Sequence, residues 1–156
     1  MSTRKLVLLL MLGALAAVVI MLLSGGEPQS PEEHVRAILA KMTQAAGDKN
    51  PGDLLTHVSE RFEGQGGLDR DRLRGILFVE LRRGAWTRVV LYDTEIVLQS
   101  PSVVDVRTRA FLARGDGPLP TNAEGWDLEM VFEEENDDQW RVVSGSYRSV
   151  RRGASR

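Results

Sequence analysis

The spacing of apolar residues changes at Trp86, and that change limits the architectures open to this chain. Before it, apolar side chains recur every three or four residues, the repeat of a helix buried on one side. After it they alternate, the repeat of a half-buried strand. Four strands are expected, over Thr87–Gln99, Ser102–Ala113, Gly125–Glu134 and Gln139–Val150. Gln99-Ser100-Pro101-Ser102 and Asn136-Asp137-Asp138 have the composition of hairpin turns, and Arg114–Glu124, with two prolines and two glycines, that of a longer loop.

Three helices precede them. Ser30-Pro31-Glu32-Glu33 combines an N-cap hydroxyl, a first-turn proline and a capping-box glutamate. Val35, Ile38, Leu39, Met42 and Ala46 follow as one stripe, and Gly47 reads as the C-cap. A second helix opens at Asn50-Pro51 and buries Leu54, Leu55 and Val58, with Phe62 closing that cluster. After the glycines of Glu63-Gly64-Gln65-Gly66-Gly67, Asp69 caps a third, carrying Leu73, Ile76, Leu77 and Leu81 to near Gly84. The expected class is α+β: three N-terminal helices packed on a curved four-stranded antiparallel sheet, cone-like, behind a single transmembrane helix.

That last element comes from Leu6–Leu23, eighteen residues without a charged or polar side chain. As a helix they would extend about 27 Å, close to the hydrocarbon thickness of a bilayer. Cleaved signals usually have shorter apolar cores, so length favours a retained anchor, although Ser24 and Gly26 have the small-residue spacing a signal peptidase accepts. Arg4 and Lys5 precede the run and the next basic residue is Arg36, which orients residues 1–5 to the cytoplasm. The expected plan is a cytoplasmic N-terminus (1–5), an anchor (6–23), a linker (24–30), one domain (31–152) and a tail (153–156). The domain then works outside the inner, cytoplasmic membrane, in the periplasm or extracellular space.

Composition narrows the chemistry. The chain has no cysteine, which removes disulfides, thiolate metal sites and a thiol nucleophile. Two histidines argue against a histidine-rich zinc centre, and no metal or cofactor is expected. A net charge of −2 lacks the basic excess that nucleic-acid binding needs.

The alternation sorts the strand residues into two faces. Val104, Val106, Thr108, Ala110 and Leu112, then Trp126, Leu128, Met130 and Phe132, then Trp140, Val142, Ser144 and Ser146, form the expected inner face. Trp86, Tyr92, Trp126 and Met130, with Ser144 as a polar group, are the candidate lining of a pocket for an apolar or aromatic molecule; equally, these residues can simply fill the core. For Tyr92, Val89 and Leu91 compete for the inward register. The outer face carries Arg107, Arg109, Asp127, Glu129, Glu133 and Arg141. Phe111, Val131, Val143 and Tyr147 lie among these charges as a candidate interface stripe. Glu133–Asp138 lacks calcium-loop spacing and reads as a hairpin tip solvated by its own charge.

Three helices, then a curved sheet ending in DDQWRVVSGSYRSV with Trp140, Val142 and Tyr147, resemble the nuclear transport factor 2-like (cystatin-like) superfamily, which includes SnoaL-like cyclases. The resemblance covers about residues 31–152. It implies a cone whose sheet curls around a pocket closed by helices, in proteins that are variously enzymes, small-molecule binders, dimers or adaptors. It also implies, for the enzymes, an Asp/His or Tyr/Asp pair inside the cone. The expected inner sheet face has no Asp, Glu, His or Lys. The remaining pair is Asp53 and His57, four residues apart on one helix face, where a carboxylate would orient an imidazole and raise its pKa; the same spacing suits an exposed pair. Three readings follow. The leading one is a membrane-anchored, non-enzymatic interaction or assembly module, as a homodimer or with an envelope protein partner. The alternatives are a domain binding a small apolar ligand, and a SnoaL-like isomerase or hydrolase using Asp53, His57 or Tyr92.

Overall fold

A computed structural model describes residues 30–84, 86, 88–113 and 124–150. The anchor run, the loop 114–123 and the tail lie outside the described residues. Among the described residues no helix is long and apolar enough to cross a membrane.

Helix α1 spans Pro31–Gly47. The Ser30 hydroxyl accepts from the Glu33 amide at 3.2 Å, and Asp48, rather than Gly47, is the C-cap. Helix α2 spans Pro51–Thr56, with the Asn50 side chain accepting from the Asp53 amide. Strand β1 (Val58–Gly64) and the two-residue β2 (Leu68–Asp69) follow. Helix α3 spans Arg70–Arg83, capped by the Asp69 carboxylate on the Arg72 amide at 2.8 Å. Then come β3 (Arg88–Ser100), β4 (Val103–Ala113), β5 (Glu124–Glu134) and β6 (Trp140–Val150).

The class is α+β, as expected, but the sheet has six strands and not four, in the order β2-β1-β6-β5-β4-β3. Of the two additional strands, β1 lies where Val58 was expected within the second helix and Phe62 was expected to close its cluster. Val58 does sit four residues from Leu54, so its spacing is helical. It is drawn into the sheet by β6, which it joins in parallel: the Val142 amide donates to the His57 carbonyl and the Gln65 amide to the Gly145 carbonyl, each at 2.9 Å. Gly66 and Gly67 have φ of +71° and +73°, a conformation open to glycine at little cost, and they turn the chain back into β2.

Outside β1 the described sheet has three register shifts, one of them at the end of β3 between Leu98 and Ser100; the other two set which residues face inward. In β3 the pairing with β4 shifts between Tyr92 and Glu95, where Asp93 has φ +50°. In β6, Val142 pairs with Phe132 but Ser144 pairs with Val131, so Val143 is the extra residue. One extra residue reverses the facing of everything after it. The inner face therefore runs Trp140, Val142, Gly145, Tyr147, and Ser144 and Ser146 pair with the outer-face residues Val131 and Glu129.

The helices cover the inner face. Val35 and Leu39 of α1 pack with Val58 and Phe62 of β1, Val104 and Val106 of β4, Phe132 of β5, and Trp140 and Val142 of β6 in one buried cluster. Helix α3 is different, because Leu81 is its only buried residue. It stands at the rim, against β1, β2 and α2.

Candidate ligand cavity

Between the rim helix and the inner sheet face is a cavity of about 360 Å³, within the usual size range for small-molecule sites. Each wall is a consequence of helix or strand periodicity. Helix α1 contributes Leu39, Met42 and Ala46, and α3 contributes Leu73, Ile76 and Leu77, residues three and four apart on one helix face. From the sheet come Phe62 and, paired with residues that also face inward, Leu91, Ala110, Leu128 and Met130 among others.

Its chemistry is almost wholly apolar. No Asp, Glu, His, Lys or Arg is part of the described lining. The hydroxyl of Thr43 is committed, donating to the Leu39 carbonyl at 2.7 Å. Ser146 borders the cavity from an outer-face position, and Tyr147 adds a phenol to the described lining. Tyr147 is half exposed and meets Trp126 edge-on, with ring centroids 5.9 Å apart. The cavity thus offers dispersion and desolvation to a guest, with a single aromatic hydroxyl near its exposed side.

The residues singled out from the sequence divide. Met130 lines the cavity. Trp126 is on the inner face but reaches the cavity only through its contact with Tyr147. Trp86 is buried outside the lining, with its indole N–H toward the Ala46 carbonyl at 3.5 Å and the Lys49 ammonium 5.9 Å from its ring. Tyr92 is on the outer face, paired with Arg109, because Val89 and Leu91 take the inward register. Ser144 is also outside, displaced by the bulge at Val143. The bulge moves Tyr147 the other way, from the interface stripe into the cavity wall. Phe111, Val131 and Val143 stay outside, and Tyr92 joins Phe111 edge-on at 5.4 Å. Ile76, Leu77, Leu91 and Tyr147 were not singled out as lining. For the first three, period alone carried a signal; for Tyr147 the bulge concealed it.

Asp53 and His57 are both placed on a small surface cleft, apart from the cone cavity. Asp53 is exposed and its carboxylate accepts from the Asn50 amide group at 2.7 Å. His57 caps the end of α2 and shares that cleft with Asp53, Lys41 and Gln44. Its pKa is lowered, not raised: burial disfavours the imidazolium, Lys41 and Arg141 repel it, and the attraction of Asp53 is weaker than these.

The acidic hairpin is bound into the fold rather than merely solvated. Fully buried Ser59 donates to Glu135 at 2.5 Å and accepts from the Arg61 amide. Arg141 bridges Glu135 at 2.6 Å and Asp137 at 2.7 Å. These partners hold the Glu135 and Asp137 carboxyls below the usual carboxylate range: the Ser59 hydroxyl first for Glu135, the Arg141 guanidinium for Asp137. Among the described residues no group of three or more acidic or histidine side chains is placed to hold a metal ion.

No family model matches the chain, and no curated protein does. Solved structures do match. A nuclear transport factor 2-like protein of unknown function from Pseudomonas putida superposes with a TM-score of 0.65 at 10% identity, over 79% of this chain and 89% of its own. A ketosteroid isomerase-like protein from Erwinia carotovora atroseptica gives 0.63 at 9% identity, over 80% and 99%. An uncharacterized protein with a cystatin-like fold from Caulobacter vibrioides gives 0.62 at 14% identity, over 78% and 91%. The described residues therefore have the nuclear transport factor 2-like, or cystatin-like, fold.

Proposed function

We propose that the domain binds a small, uncharged apolar molecule in its cone, and that it does so without transforming it. The observation that carries this reading is the cavity of about 360 Å³ whose described lining holds no ionisable acid or base other than the Tyr147 phenol. Burying a guest's apolar surface there contributes roughly 25 cal/mol per Å². General acid–base work, by contrast, needs a group that titrates near neutral pH within reach of the substrate. The fold is shared with a ketosteroid isomerase-like protein, but the candidate acid–base residues Asp53 and His57 lie outside this cavity. Residues 6–23, in this reading, hold the domain at the outer side of the cytoplasmic membrane.

The test uses the neutral fluorophore N-phenyl-1-naphthylamine. Saturable enhancement with one site per chain is expected. Leu77→Trp and Met130→Trp, each filling the cavity from a different wall, should weaken binding at least tenfold with an unchanged far-ultraviolet circular dichroism spectrum. Equal affinity in both folded variants, or no saturable binding by the wild type, would contradict the reading.

A further inference from the structure

Helix α3 leaves most of its surface uncovered, and what it exposes is ordered. Arg72, Ile76, Val79 and Arg83 are spaced four, three and four residues apart, so they form one stripe along the helix. All four are exposed, Ile76 at 47% and Val79 at 43%. An apolar pair is thus flanked at each end by a guanidinium. Around the helix, Phe78 is exposed too, with the Arg82 guanidinium 5.7 Å from its ring.

Charge is concentrated here. The helix carries five arginines against Asp71 and Glu80, a balance of +3, while the whole chain carries −2 and the other residues therefore −5. Arg70 is spent inside the fold, on Glu60 at 2.9 Å and on the Val58 and Leu55 carbonyls. Arg72, Arg74, Arg82 and Arg83 remain exposed, with only weak engagement of Arg72 by the Gly67 carbonyl and of Arg74 by Asp71.

We propose that α3 lies along an anionic lipid surface through this stripe. A short helix with exposed aliphatic side chains between arginines is suited to the boundary of headgroup and acyl chain: the aliphatic groups enter the apolar layer and the guanidinium groups pair with phosphates. Ile76 belongs both to the stripe and to the cavity wall, so a docked helix would set the cavity beside the acyl layer from which an apolar guest would come. The expected anchor at 6–23 supplies proximity, since the seven residues 24–30 reach at most about 25 Å when extended. This docking is separate from the occupancy of the cavity and stands or fails on its own.

The absence of cysteine allows a clean test. The full chain is reconstituted into vesicles of phosphatidylcholine, with or without phosphatidylglycerol. It carries one nitrobenzoxadiazole-labelled cysteine, Val79→Cys on α3 or Val97→Cys on β3, and doxyl-labelled lipid serves as quencher. Both sites are about equally exposed in the free domain. The label at 79 is expected to be quenched at least twofold more than that at 97 in anionic vesicles, and to lose the difference with Arg72→Glu and Arg83→Glu or without phosphatidylglycerol. Equal quenching at the two sites would mean that the tether alone brings the domain near the membrane and would overturn the proposal. So would quenching at 79 that ignores lipid charge, or a label at 79 that stays in water. Dye binding in the cavity is read separately, so failure of one claim is not mistaken for failure of the other.

Discussion

His57 is the residue whose chemistry the fold changes most plainly. Its folded-state pKa lies below the ordinary 6.5, first because burial strips water from the imidazolium, then because Lys41 and Arg141 repel it. The unfolded chain then takes up the proton more readily than the folded one. Stability is full above about pH 6.5 and is lost as the pH falls through the folded-state value. The urea midpoint should decline between pH 7.5 and 5.5, and His57→Gln should flatten that decline; an unchanged slope in the variant would contradict the assignment. A sequence cannot show this sign, because Lys41 and Arg141 approach His57 only in the fold, whereas Asp53 is visible four residues away. The two tyrosines were misplaced for a related reason. Around Tyr92 the alternation reads both ways and pairing with β4 decides it, whereas for Tyr147 the extra residue Val143 reverses an alternation that otherwise places it outside.

At the scale of elements, what was legible followed periodicity and capping chemistry. The caps Ser30, Asn50 and Asp69, the three helices and the four long strands all announce themselves locally. Strand β1 does not, since Val-Ser-Glu-Arg-Phe-Glu-Gly has little β character of its own and depends on β6 and the acidic hairpin. Ser59 joins them: its hydroxyl serves Glu135 and the Arg61 amide together. Ser59→Ala leaves that amide and that carboxylate each short of a partner at a part-buried site and should cost about 1 kcal/mol or more in chemical denaturation. A loss within a few tenths would mean that Arg141 and Arg61 alone hold the hairpin to β1. The Val143 bulge was equally hidden, because an inserted residue in a strand leaves no mark on composition, yet it moves Tyr147 to the cavity and Ser144 away from it.

For the whole molecule, the proposals of an anchor, an occupied cone and a lipid-facing rim helix combine into one proposed arrangement, a tethered domain presenting its apolar cavity toward lipid. The tether is tested by topology. A C-terminal alkaline phosphatase fusion to the full chain in a bacterial host should be active and a green fluorescent protein fusion dark, with removal of residues 1–23 reversing both; a bright fusion to the full chain would place the domain in the cytoplasm.

Two residues report directly on occupancy of the cone. Within residues 30–156 the methionines are Met42 and Met130, one on α1 and one on β5, and both line the cavity. The first measurement is the spectrum of the ¹³C-methyl-methionine-labelled protein titrated with N-phenyl-1-naphthylamine, with the two signals assigned by Met42→Leu and Met130→Leu. Both methyl resonances should move with the ring current of the bound dye and saturate at the concentration that saturates its fluorescence. Methyl signals that stay in place while the fluorescence saturates would put the dye on the surface and contradict the account.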